Sequence, residues 1–255
     1  MDMFRGRGSL RHDFRIQMPF KNQAMDGPDP ILSVGITGHR SIAAEPIVSE
    51  AVEAAISVVL QALGKRGRSS AATKHLATST RFRLKVVSML AEGADLLGMQ
   101  AGLDCGAELV GVLPFDEQAY REAFESAPSQ ALFDHVWSKL SSIVVLGGFV
   151  GDDASYEQAN RAILDRSDVV IAVWDGDPAR GRGGTGDVVH DALERGLPVI
   201  VIRPHAETSP KLLGIAGETS FCADSLNFLH IEGARQQLED VPRVRASVDR
   251  ESEDE

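Results

Sequence analysis

Three short segments carry the residue types that could hold a phosphate group. They are Thr37-Gly38-His39-Arg40, the stretch from Ser88 to Asp95, and Gly183-Gly184-Thr185. Glycine lets backbone N–H groups approach a ligand without a side-chain clash, and a helix N-terminus adds unsatisfied N–H groups with about half a positive charge. Such segments predict an anion site made of main-chain donors, which needs no lysine.

Side chains in two of these segments could add specific contacts. Arg40 could pair with a phosphate through its planar guanidinium, and His39 could donate to the same anion or stack on a base. The Thr185 hydroxyl would add a donor to the turn formed by Gly183 and Gly184. The alternative for the segment with His39 and Arg40 is an exposed loop whose arginine is solvated. The alternative for Gly183 to Thr185 is a tight turn that only leads the chain into a helix.

Several carboxylates and one serine are also candidates for the site. Glu92 or Asp95, which flank Gly93, could accept hydrogen bonds from ribose hydroxyls, because a carboxylate offers two acceptor oxygens. Asp95 could instead cap a helix or brace the loop. Ser88 lies at the end of a predicted strand and Asp175 follows another, and we count both as ligand-binding candidates.

Two further side chains have open roles. Trp174 could stack on a nucleobase or pack at the rim of the sheet. Asn160 could hydrogen-bond towards the site, although we expect it to face solvent.

The elements that would position these residues alternate along the chain. Apolar runs predict strands, and apolar residues at helical spacing, such as Val52, Ile56 and Val59, predict helices between them. The predicted strands are 31–37, 83–89, 109–113, 143–146, 168–174 and 198–202; the predicted helices include 96–105, 155–166 with Ser155 as N-cap, 187–195, and two short helices in 117–139 broken near Pro128.

The strands are continuous apolar runs, which indicates that both faces of the sheet are covered. We therefore predict an α/β fold with one doubly wound, Rossmann-like, mostly parallel sheet and helices on both faces. Ligands bind such sheets beyond the carboxyl ends of the strands. The three glycine-containing segments should meet at that edge.

The predicted domain covers residues 31–231, with 227–231 as a further edge strand and 64–80 as a polar, basic loop. Residues 1–30 are arginine-rich without an apolar period, and we expect a disordered basic tail there. Residues 232–255 are acidic and poor in large apolar side chains, which predicts a second disordered tail.

Composition narrows the classes of function. A net charge of -11 over 255 residues disfavours DNA binding. No apolar run reaches the length of a membrane span, and Cys105 and Cys222 are expected to be reduced thiols of a cytoplasmic protein. The scattered histidines predict no metal site.

The sequence has no GxxxxGK[ST] motif, no GxGxxG directly after a strand, and no GxSxG or HExxH motif.

Four motifs in order resemble the SLOG superfamily, which contains the DNA-processing protein A-like and LOG-like Rossmannoid proteins. They are GITGHR (residues 35–40), SMLAEGAD (88–95), SDVVIAVWDG (167–176) and GGTGDVV (183–189). The resemblance covers about residues 31–202. It implies a nucleotide-binding parallel sheet, a bacterial protein, and a tendency to self-associate into a homo-oligomer.

Relatives imply two activities. Some bind nucleotides or nucleotide-derived signals as sensors, and LOG-like enzymes cleave the N-glycosidic bond of nucleoside monophosphates. The enzymes carry a glutamate three residues after the threonine of GGxGTxxE, whereas Val188 stands three residues after Thr185 here and Asp187 comes one residue earlier. Moving one residue along a helix rotates the side chain by about 100°. Asp187 is therefore expected to point in a different direction from the glutamate of these enzymes.

The expected function is therefore binding or sensing of a nucleotide-like small molecule, with no other cofactor. The alternative is a phosphoribohydrolase in which Asp187, Glu92 or Arg40 would be the catalytic candidates.

Overall fold

The computed structural model describes residues 31–42, 45–66, 83–179, 181–204, 210–214 and 217–220. Strands and helices alternate through most of this part of the chain, as the apolar runs predict. The elements are β1 (Ile31–Gly38), α1 (Glu45–Arg66), β2 (Arg83–Ser88), α2 (Ala94–Asp104), β3 (Glu108–Leu113), α3 (Glu117–Glu122), α4 (Ala127–Trp137), β4 (Ser142–Val145), α5 (Asp153–Leu164), β5 (Val169–Val173), α6 (Thr185–Glu194), β6 (Val199–Ile202), β7 (Lys211–Gly214) and β8 (Gly217–Ser220).

The strands form one sheet in the order β4-β3-β2-β1-β5-β6-β7-β8. The first six in this order run parallel, and β7 and β8 are antiparallel. From β1 the chain builds outwards through β2, β3 and β4, and then crosses back to place β5 on the other side of β1. The predicted α/β fold with a mostly parallel, Rossmann-like sheet is confirmed, and its topological switch point lies between β1 and β5.

Both faces of the sheet are covered, which explains why the strands read as continuous apolar runs. Consecutive residues of β1 show this, because they meet helices on opposite sides. Ile36 packs against Gly98 of α2, whereas the α-carbon of Gly35 faces Ser167 and Ile163, on the side of α5. Ile36 is fully buried, and burial of such a side chain contributes about 2 kcal/mol.

The start of α5 differs from the sequence-based prediction. Ser155 was the expected N-cap, but the helix begins at Asp153 and Asp152 is the N-cap. The Asp152 carboxylate accepts from the backbone N–H groups of Ala154 and Ser155, because its two oxygens can satisfy two of the donors that a helix start leaves open. The Ser155 hydroxyl donates to the same carboxylate at 2.7 Å.

The two short helices α3 and α4 are confirmed, and the break between them lies near Pro128, as predicted, just before α4 begins. Pro128 sits in the first turn of α4, where its missing N–H costs no intrahelical hydrogen bond. Ser126 is the N-cap, and its hydroxyl accepts from the backbone N–H of Ser129. Pro128 therefore belongs to the first turn of the second short helix and does not interrupt a longer one.

The hairpin of β7 and β8 was not predicted, because its two strands are only four residues each and lack a long apolar run. Residues 64–66 of the predicted loop belong to α1. The rest of that loop up to residue 80, the predicted strand 227–231 and both predicted tails lie outside the described residues.

Candidate functional site

A cavity of about 510 Å³ opens at the carboxyl ends of β1 and β5, and we call it the switch-point cavity. Its volume is in the usual range for small-molecule sites. The lining residues come from the segments after β1, β2 and β5 and from the starts of α5 and α6. They are Thr37, Gly38, His39, Arg40, Met89, Ala91, Asp95, Asp153, Tyr156, Asn160, Trp174, Asp177, Pro178, Ala179, Gly181, Arg182, Gly183, Gly184, Thr185 and Gly186.

The segment after β1 brings all four of its predicted residues to this cavity. Thr37 and Gly38 end the strand, and the N–H of His39 continues the pairing with β5 by donating to the Val173 carbonyl at 3.1 Å. A β-carbon on Gly38 would lie 2.5 Å from that of Ala94. Only glycine therefore lets the start of α2 pack this closely against the end of β1.

The start of α2 is closed by the chain itself rather than left open for a ligand. The N–H of Ala94 donates to the His39 carbonyl at 3.1 Å. Gly93 has φ +84°, and a β-carbon there would lie 2.2 Å from the Arg40 carbonyl oxygen. Gly93 thus does not line the switch-point cavity, although it was a predicted site residue. It instead holds the segment that carries His39 and Arg40.

Asp95 lies in the first turn of α2, on the wall of the cavity, and is 5% exposed. Its carboxylate accepts from the backbone N–H of Ala91 at a long 3.4 Å and is hydrogen-bonded by the Ser88 side chain. Burial raises the pKa of Asp95 to about 7, against the lowering effect of Ser88, of backbone N–H donors and of the Arg40 charge. The group therefore titrates near neutral pH.

Ser88 itself is fully buried and does not line the cavity. Its hydroxyl accepts from the backbone N–H of Leu90 at 3.1 Å. Leu90 has φ +65°, an unfavourable conformation for a residue with a side chain. The loop before α2 is thus strained and is held by Ser88 and Asp95.

Glu92 points away from the switch-point cavity. The Ser126 hydroxyl donates to it at 3.0 Å, and the hydrogen bond from Ser129 is the main reason that its pKa is lowered. Glu92 therefore joins the loop before α2 to the start of α4. It also lines a small adjacent cleft, which shares Arg40 and Tyr156 with the cavity.

The predicted phosphate-binding turn, Gly183 to Thr185, does line the cavity. Its Gly183 has φ +75° and is held from two sides. The Asn160 side chain donates to the Gly183 carbonyl at 2.8 Å, and the Gly183 N–H donates to Asp187 at 3.0 Å. The Asp187 carboxylate, a weak catalytic candidate, thus serves the turn and is not part of the cavity wall.

The start of α6 lies at the wall of the cavity. Gly184 is the N-cap and gives no side-chain hydrogen bond. Helix geometry leaves the N–H groups of Thr185 and Gly186 without an intrahelical acceptor, and both residues line the cavity.

The segment after β5 contributes an aromatic wall. Trp174 lines the cavity, and its indole N–H donates to the Asp177 carbonyl at 2.8 Å. The Arg203 guanidinium lies 5.9 Å from the indole ring centre. Asp175 does not line the cavity, but its backbone N–H and carboxylate both lie 3.2 Å from Nε2 of His39. Asp175 therefore positions the imidazole.

Helix α5 supplies two cavity residues, Asp153 and Tyr156, that were not among the predicted site residues. Asn160 shares their face of the helix and holds the Gly183 turn, so the alternative in which it hydrogen-bonds towards the site is the one observed, and the expected solvent-facing position is wrong. The Arg40 guanidinium lies 5.8 Å from the centre of the Tyr156 ring. Their spacing of three and four residues on a helix that starts at the carboxyl edge of the sheet was the available signal.

The site therefore combines main-chain donors, the Arg40 cation, two aromatic side chains and the buried Asp95 carboxyl. Among the described residues, no group of three His, Cys, Asp or Glu side chains could hold a metal ion. No helix in the same part of the chain is both long and apolar enough to cross a membrane.

No protein-family profile and no curated protein sequence matches this chain. Among solved structures it is similar to DNA processing protein A from Streptococcus pneumoniae, at 19% identity and a TM-score of 0.42, over 67% of this chain and 50% of that one. It is also similar to DNA processing protein A from Helicobacter pylori, described as binding single-stranded DNA, at 17% identity and a TM-score of 0.44, over 71% of this chain and 69% of that one. The chain thus spans about half the length of the Streptococcus protein that it resembles.

Proposed function

We propose that this protein binds a nucleotide or a nucleotide-derived phosphate compound in the switch-point cavity. The observation that carries the proposal is the start of α6, where Thr185 and Gly186 line a cavity of about 510 Å³ at the switch point of the sheet and helix geometry leaves their N–H groups without an intrahelical acceptor. Main-chain donors at a helix start favour a phosphate. Arg40 adds a permanent cation at the same cavity.

The remaining walls suit the rest of a nucleotide. Trp174 and Tyr156 offer flat apolar surfaces for a base, and each already carries an arginine near its ring. Asn160 and Asp187 hold the Gly183 turn from opposite sides, so the donors are oriented before the ligand arrives. Such preorganisation lowers the entropic cost of binding.

The test is calorimetry with a panel of nucleoside monophosphates, diphosphates, cyclic nucleotides and ADP-ribose compounds. We expect the wild type to bind at least one of them and Thr185→Glu to bind none, because the new carboxylate occupies and repels from the phosphate position. His190→Glu is the matched control, since it adds the same charge to the exposed side of α6. A wild type that binds no member at millimolar concentration contradicts the proposal.

An N-glycosidase is the second candidate, and one observation favours it. Of the acidic residues predicted for the site, Asp95 lines the cavity, whereas Glu92, Asp175 and Asp187 do not. A carboxyl group that titrates near neutral pH suits general acid catalysis. Chromatography of nucleoside monophosphates after long incubation tests it: release of free base that Asp95→Asn abolishes supports hydrolysis, and no release removes it.

A further inference from the structure

Asp95 stands out from the other acidic residues because it is the one charged side chain among the buried residues of the described chain. It lies on the wall of the switch-point cavity rather than in the packed core between the helices and the sheet. No arginine, lysine or histidine nitrogen of a described residue lies within ion-pair distance of its carboxylate. A buried carboxylate without a paired cation is costly, so the neutral acid is favoured.

The groups that face Asp95 do not restore its ordinary acidity. Arg40, from the segment after β1, is exposed and acts on Asp95 only at a distance. Tyr120 of α3 is 3% exposed, and burial raises its pKa well above the usual range, so it stays a neutral phenol. Ser88 of β2 contributes a neutral hydroxyl. The other titratable or charged groups on the cavity wall are His39, Asp153, Tyr156, Asp177 and Arg182.

The protonation state of Asp95 decides what it can do for a ligand. An ionised carboxylate only accepts hydrogen bonds and repels an anion, whereas the neutral acid has an O–H donor. Other donors at this cavity, which include the N–H groups at the start of α6 and the Arg40 and Arg182 guanidinium groups, favour negative charge. A neutral Asp95 is compatible with a negatively charged ligand, whereas an ionised Asp95 would repel it.

We propose that Asp95 binds the ligand as a neutral carboxylic acid that donates a hydrogen bond to an acceptor oxygen of the bound anion. It thereby makes the switch-point cavity specific for an acceptor group rather than for a ribose diol at this wall. This inference rests on the proposed binding of a phosphate compound. It reverses the role expected from the sequence, in which the carboxylate would accept bonds from ribose hydroxyls.

Binding is then coupled to proton uptake. The bound anion favours the protonated form, so affinity falls as pH rises through the pKa of Asp95, about 7 in the ligand-free protein. If only the protonated form binds, affinity at pH 8 is about tenfold lower than at pH 6.

The experiment uses inorganic sulfate as the probe, because its charge stays constant over this pH range. Calorimetry at pH 6 and pH 8 compares the full chain with Asp95→Asn, whose amide keeps the shape, a donor and an acceptor without titrating. We expect the wild type to lose about tenfold in affinity and Asp95→Asn to bind equally at both pH values. Asp104→Asn, the same change at an exposed position of α2, should behave as the wild type.

Three other results would count against the inference or replace its test. Sulfate binding that is equally pH-dependent in Asp95→Asn overturns the inference and leaves the proposed function standing. Absence of sulfate binding by the wild type at both pH values overturns the inference, whereas the proposed function stands or falls with the nucleotide panel. If Asp95→Asn does not fold, carbon-13 NMR of the wild-type carboxyl groups replaces it: an Asp95 resonance that titrates near pH 4 overturns the inference without any ligand.

Discussion

The burial of Asp95 predicts an unusual pH dependence of stability. Its pKa is about 7 in the folded protein, against an ordinary value of 3.8. Between these two pH values the folded state binds more protons than the unfolded state, so the free energy of unfolding falls as pH rises. Above about pH 7 both states are ionised, and this contribution becomes constant.

The size of the effect follows from the shift. Each pKa unit corresponds to about 1.4 kcal/mol, so full ionisation of Asp95 opposes folding by roughly 4 kcal/mol. Part of this is already present at pH 5, because the unfolded carboxyl is mostly ionised there. The wild type should therefore lose about 3 kcal/mol between pH 5 and pH 8 from this group.

The assay is urea unfolding of the wild type and Asp95→Asn at both pH values. The variant keeps every other titratable group, including Asp168, whose pKa burial also raises. The two proteins should therefore differ in pH dependence only by the contribution of Asp95. We expect the variant to gain about 3 kcal/mol relative to the wild type on going from pH 5 to pH 8. Parallel pH dependences in the two proteins would refute the argument that burial governs this carboxyl.

Three further predictions follow from the geometry. Gly93→Ala should destabilise the protein by clearly more than Gly106→Ala in urea unfolding, because both glycines have positive φ but only at Gly93 would the new β-carbon lie 2.2 Å from a backbone oxygen; equal losses would show that the contact does not matter. Asn160→Ala should weaken sulfate binding by about tenfold through loss of one partly buried hydrogen bond to the Gly183 turn, and unchanged calorimetry would contradict this. Pro128→Ala should change the melting temperature little, since residue 128 lies in the first turn of α4.

The order of strands and helices could be read from the sequence. Residues 169–173, for example, are apolar at every position. The structure buries all five, those that face one side of the sheet and those that face the other. The local pattern was enough to identify these elements, because the spacing of apolar residues along the sequence differs between strands and helices. The helix ends were less certain, as Asp152 and Ser126 show, because several neighbouring residues can cap a helix and packing selects one.

The candidate site could be predicted only in part. Glycine turns after β1 and before α6 were visible as local sequence signals, and both line the same cavity. The uses of Gly93 and Glu92 were not visible, because each depends on a partner distant in the sequence. Gly93 packs on the carbonyl of Arg40, and Glu92 receives a hydrogen bond from Ser126.

The sequence by itself determined that strands alternate with helices and that glycine-containing turns follow β1 and precede α6, since these depend on neighbouring residues. Only the tertiary structure decided which side chains face the cavity and what their chemistry is. Asp95 is an ordinary aspartate in the sequence, and its pKa rises only because the folded chain buries it. Asn160 reaches the Gly183 turn only because the crossover from β4 to β5 carries α5 past the start of α6.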